Sequence, residues 1–168
     1  MANKQSFTPE EWTKVMESVM MAGVAVTAAE PSGLWGTMKE AFASGTTLAG
    51  AKVDPSASEL AKAVMAELET SEGRTATREA LKTRYAGAKA PDIVDRSVAN
   101  LQEVSGILDA KAGADAAPFK ALLVHIAEKV ANASKEGGFL GFGGERVSPA
   151  EQASLDKIRA ALGSRTQV

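Results

Sequence analysis

The chain reads as an all-α protein, a compact bundle of about seven helices. Three observations predict it. Alanine, the strongest helix former, supplies 32 of the 168 residues. Aromatic residues are only 5%, whereas strands favour aromatic and β-branched side chains. No stretch of four to eight residues alternates strictly between apolar and polar, and apolar residues instead recur at spacings of three and four.

Thr8-Pro9-Glu10-Glu11 starts the first helix: a Thr N-cap, Pro in the first turn and Glu11 closing a capping box. Trp12, Val15, Met16, Val19, Met20, Gly23 and Val26 then trace one apolar stripe to about Ala29. Pro31 stops it, and Ser32 caps a second, shorter helix through Leu34, Trp35, Met38 and Phe42 to Gly45. Asp54-Pro55 opens a third, with Leu60, Val64, Met65 and Leu68 on its buried side. Gly73 is read as the break before a fourth, from about Thr75 to Tyr85, whose apolar content is thin. The fifth starts at Pro91-Asp92, carries Ile93, Val94, Val98, Leu101, Val104 and Leu108, and ends near Gly113. The sixth runs from Asp115 to Ser134, with Phe119, Leu122, Leu123, Ile126 and Val130 on one face. Ser148-Pro149-Ala150-Glu151 is a second capping box, and Leu155, Ile158 and Leu162 complete the seventh helix before Gly163. Residues 8–163 are thus expected to form one domain, preceded by a disordered or extended start at 1–7 and followed by a frayed tail at 164–168.

Composition also narrows function. Nineteen basic and 21 acidic residues leave a net charge of −2, which gives no electrostatic footprint for nucleic acid. The longest apolar stretch, Val19 to Ala29, is broken by Gly23 and Thr27 and is too short to span a bilayer. Without a signal-peptide-like run after Met1, the expectation is a cytoplasmic protein that does not enter membranes. Cysteine is absent and His125 is the single histidine, so disulfides, thiolate sites and a His-rich zinc site are excluded within one chain.

A shift of 105 residues lays Val19–Glu40 over Val124–Glu145 without gaps, matching Val19/Val124, Ala22/Ala127, Ala28/Ala133, Gly33/Gly138, Gly36/Gly141 and Glu40/Glu145. Two readings stand for it: a pseudo-repeat of helical hairpins, or a coincidence among common Ala and Gly residues.

The most distinctive segment is Ser134 to Glu151. Its glycines do not make a phosphate loop, because no Gly-Lys-Ser/Thr follows and a helix rather than a strand precedes. One reading is structural: glycines permit the turns, while Phe139, Leu140 and Phe142 pin the loop to the core or to a second copy of the chain. The other is chemical. Glu136, Glu145 and Glu151 lie within 16 residues, and carboxylates with loop carbonyls are the oxygen ligands that Ca²⁺ or Mg²⁺ takes. Glu151, as the N3 residue of a capping box, already has a partner in Ser148.

The order of helix, acidic-Gly turn, Val-Ser, Glu and apolar helix resembles the tellurite-resistance TerB-like family. The residues that carry it are Ala133, Glu136-Gly137, Val147-Ser148, Glu151, Leu155 and Ile158, with Ala28, Glu30, Gly33 and Glu40 as a degenerate first copy. It covers about residues 119–162. Glu136 replaces the family's usual Asp, and about nine extra residues, 138–146, precede the capped helix. The resemblance implies a non-enzymatic, stress-related protein. In it Glu136, Glu145 and Glu40 contact a divalent cation or a protein partner, and the apolar trio Phe139, Leu140 and Phe142 serves a partner or a homodimer.

The alternative is a small-molecule binding protein or enzyme with a pocket between helices, using His125 as a base or ligand. His125 sits at the edge of its helix's apolar face, where a boundary histidine is the plainer reading. Arg74, Arg78 and Lys82 fall at i, i+4 and i+8, a solvated face or an anion-docking stripe.

Overall fold

The computed structural model describes residues 1–29, 57–136 and 147–163, with the backbone alone for 133–136. Six α-helices and two 3-10 turns form the regular structure there, and no strand occurs among the described residues. The helices are α1 (Pro9–Ala29), α2 (Glu59–Glu69), α3 (Ser71–Arg84), α4 (Ala90–Lys111), α5 (Ala116–Glu136) and α6 (Pro149–Ala161). The helix expected from Ser32 to Gly45, the tail 164–168 and much of the 19–40 and 124–145 pair lie outside the described residues.

The first-turn chemistry of α1 is as expected. Glu11 N donates to Thr8 Oγ1 at 3.2 Å and Thr8 N to Glu11 Oε2 at 2.8 Å, so two otherwise orphaned donors are satisfied. The burial of α1 goes beyond one stripe. From Val15 to Ala28 every residue but Met20 is buried, including Ser18, Val24 and Ala25 off the expected face. A helix buried on all sides is central. Small residues allow it: a Cβ on Gly23 would lie 3.3 Å from Val130 Cγ2 of α5, so the valine side chain of that helix packs against the space the glycine leaves.

Around α1, α4 is the most extensive neighbour, followed by α5 and then α6. The α4 helix runs antiparallel to it. Glu11 pairs with Lys111, Lys14 with Glu103, and Val24 and Ala28 pack with Ile93 and Val94. Leu101, Val104 and Leu108 of α4, Phe119 and Leu123 of α5, and Leu155 and Ile158 of α6 fill the main core. Ser154 Oγ of α6 also donates to the Ala25 carbonyl of α1 at 2.8 Å. Trp12, Met16 and Met65 are core residues, as their helical spacing indicates, whereas Met20 of the expected stripe is only half-buried and Met21, off it, is buried.

Two expectations are corrected. Residues 1–7 are tied down rather than disordered or extended throughout. Lys4–Ser6 form a 3-10 turn capped by Asn3, Ala2 N donates to Asp115 Oδ2 at 2.6 Å, and Phe7 packs on Trp12 with ring centroids 5.8 Å apart. Burial of Ala2 and Phe7 ties this turn to the core. Second, the break between the third and fourth expected helices is at Thr70, not Gly73. Thr70 closes α2 through its N–H to Glu67 O (3.0 Å) and opens α3 by accepting from Gly73 N (2.9 Å). Gly73 lies inside α3, where a Cβ would meet Glu67 O at 2.0 Å. Its missing side chain lets two helices meet with one residue between them.

Candidate functional site

The candidate acidic ligands fall mostly outside the described side chains. Glu136 is the last residue of α5, and its side chain, like Glu40, Glu145, Phe139, Leu140 and Phe142, lies outside the described residues. Glu151 is placed, and it is committed. It is buried, and its carboxylate accepts from Ser148 N at 2.9 Å while its own N–H donates to Ser148 Oγ at 3.2 Å. Among the described residues no three Asp, Glu, His or Cys groups could hold a metal ion together. His125 is exposed on α5.

Arg74, Arg78 and Lys82 are all exposed on α3. Arg74 donates to the Glu69 carbonyl, a cation at the negative C-terminal end of α2. The basic residue that turns inward is Arg84. Its Nη2 and Nε donate to one oxygen of Glu17, Oε2, at 2.8 and 3.1 Å.

Glu17 is the polar centre that the sequence reading missed. It is 1% exposed, in the middle of the central helix. Burial is the largest influence on its carboxyl and pushes its pKa up, against the pull of Arg84 and Lys14, with Glu103 adding to the rise. Next to it, Tyr85 and Ser97 share a 2.6 Å hydrogen bond, and burial pushes the tyrosine pKa up to about 12. Ser97 Oγ is also 2.7 Å from the Ile93 carbonyl, and Arg96 Nη1 donates to the Arg84 carbonyl at 2.8 Å. A seam of polar groups therefore runs between α1, the C-terminal end of α3 and the first half of α4.

The seam holds helices together through hydrogen bonds and one ion pair. A signal for it is present in the chain: Glu17 is the one charged residue between Val15 and Ala29. An ionised side chain in such a run needs a partner, because burying an unpaired charge is very costly. The identity of the partner, 67 positions away, is not a matter of local spacing.

Among the described residues no helix is long and apolar enough to cross a membrane. No protein-family model, no curated protein and no solved structure matches the chain. The TerB-like resemblance therefore rests on the residues quoted for it.

Proposed function

We propose that the chain is a non-enzymatic, TerB-like helical protein of the cytoplasm, acting in stress response by association at the acidic, glycine-rich segment between α5 and α6. The partner is a divalent cation, Ca²⁺ or Mg²⁺, or a protein. The observation that supports the reading is the order of elements. A helix ends at Glu136 of Glu136-Gly137, and the next described helix begins on the Ser148 cap with Glu151 at N3. The same reading takes Ser32–Gly45 as a seventh helix and the two Gly-apolar-apolar-Gly segments as copies of one hairpin.

Because the Glu151 carboxylate is engaged at the Ser148 N–H, the ligand set reduces to Glu136, Glu145 and Glu40 with backbone carbonyls. The alternative, an inter-helix pocket served by His125, has less support, since that side chain is exposed.

Calorimetric titration with Ca²⁺ and with Mg²⁺ tests the cation arm. Binding that is lost in Glu136→Gln/Glu145→Gln, with a gain of about 2.7 kcal/mol in stability at 100 times the dissociation constant, is the expected result. No heat and an unchanged Tm across millimolar Ca²⁺, Mg²⁺ and Mn²⁺ would remove it. The association arm is read by sedimentation of Phe142→Ala, which should weaken self-association or partner binding without unfolding the monomer.

A further inference from the structure

The α3 helix is attached differently from its neighbours. Of its 14 residues only Gly73 and Thr77 are buried, and neither brings a large apolar side chain. Leu81, with Tyr85 just beyond the helix, packs on the core while only partly buried. The other attachments to α1 and α4 are polar and gather at one end: Arg84 to Glu17, Tyr85 to Ser97, and Arg96 to the Arg84 carbonyl.

Among the described residues four buried side-chain polar atoms have no hydrogen-bond partner: Trp12 Nε1 near the start of α1, and, beside the seam, Thr77 Oγ1 of α3 with both Nδ2 and Oδ1 of Asn100 on α4. Thr77 lies two turns before Arg84 on the same face of α3. Asn100 is 3% exposed. It stands three or four residues after Arg96 and Ser97, which meet Arg84 and Tyr85, and three before Glu103, which meets Lys14. That spacing puts it on the side of α4 turned to α1 and α3. An orphaned polar atom in the interior carries its full desolvation cost, and water relieves it as soon as the seam opens. Both ends of α3 are short junctions. Thr70 alone separates it from α2, and Gly87, at φ +67°, turns the chain into α4.

We propose that α3 is a strap that opens as a unit while α1, α4, α5 and α6 stay packed, with the Arg84–Glu17 pair as its closure. Opening brings Glu17, Ser97 and Asn100 to solvent as a polar strip on α1 and α4. Of the main core it uncovers the part on which Leu81 and Tyr85 pack. Local opening of this kind belongs to segments with few buried apolar contacts.

Native-state hydrogen exchange of the full chain, followed by mass spectrometry through a series of low urea concentrations, tests it. Amides of α3 should exchange at least about a hundredfold faster than those at the centres of α1 and α4, with a weaker urea dependence. Ile158→Val, a mild change in α6, should speed exchange in α1 and α5 roughly two- to tenfold and leave α3 unchanged. Arg84→Met should speed α3 exchange by more than about tenfold, because it strands the Glu17 charge in the closed state. Exchange of α3 in step with α1 and α4, or a rise in α3 equal to that of the core on Ile158→Val, would overturn the proposal. So would indifference of α3 to Arg84→Met. The wild-type urea series and Ile158→Val need no disruptive substitution, so the test stands even if Arg84→Met fails to fold.

Discussion

Helices α4 and α3 both hold the central helix, and they do so by opposite means. The α4 helix lays Ile93, Leu101, Val104 and Leu108 against the interior and keeps its ion pairs, Glu103 to Lys14 and Lys111 to Glu11, at the rim. The α3 helix has no large apolar side chain that is fully buried, only Leu81 half-buried on the core, and it sends its cation inside, to a carboxylate that is 1% exposed. The same chemical contact therefore has two meanings. At a wet rim an ion pair is worth about 0–1 kcal/mol and can be lost. Inside, the pair contributes little net stability, yet losing one partner leaves the other charge without compensation.

Substitutions can break this contrast or sharpen it. The largest effect is expected at Leu108, which is fully buried: Leu108→Ala should cost about 2–5 kcal/mol in urea unfolding, through lost burial and the cavity left behind. Arg84→Met should follow at about 3 kcal/mol, the low end for a stranded buried charge, because the arginine side chain is 31% exposed and water can approach from that side. Glu17→Gln keeps the shape and removes the buried charge, so its cost should stay within about 1 kcal/mol. Glu103→Gln, at the rim, should change stability by no more than about 0.5 kcal/mol. If Glu103→Gln matched Arg84→Met, the distinction between rim and interior would fail.

Acidity sharpens the contrast further. The groups facing Glu17 are Lys14 on its own helix, Arg84 and Tyr85 from the α3 side, and Glu103 from α4. Since the folded chain raises the Glu17 pKa, it binds that proton more readily than the unfolded chain does. The resulting stability is complete below the ordinary glutamate value and is lost as pH rises through the raised one. Glu11 has the opposite sign. The Lys111 hydrogen bond lowers its pKa, so its contribution is present above the ordinary value and lost as pH falls. Urea unfolding of wild type and Glu17→Gln across pH 4 to 8 should therefore show the wild type losing ground to the variant as pH rises.

Much of this architecture is legible in the sequence where the governing interactions are local. Both capping boxes, Thr8–Glu11 and Ser148–Glu151, form as their four-residue patterns predict. Gly113 and Gly163 mark helix ends at positive φ, where glycine carries no steric penalty. The misread features depend on contacts between distant parts of the chain. Gly73 looks like a breaker until Glu67 O is found where its side chain would be. The N-terminal turn is held by Asp115, 113 residues away from Ala2. Glu17 is visible as an isolated charge, but its pairing with Arg84 arises only when α3 folds back along α1. The candidate ligands Glu40, Glu136 and Glu145 were legible as an acidic grouping around glycines, a pattern that composition can carry and that geometry has to complete.

A double-mutant cycle on Glu17 and Arg84, read by urea unfolding at pH 7, tests the interior pair most directly. Arg84→Met alone should cost about 3 kcal/mol, and adding Glu17→Gln should recover most of that loss, because no charge is then left stranded. A double variant as unstable as the sum of the two single changes would contradict the account, and so would an Arg84→Met protein as stable as the wild type.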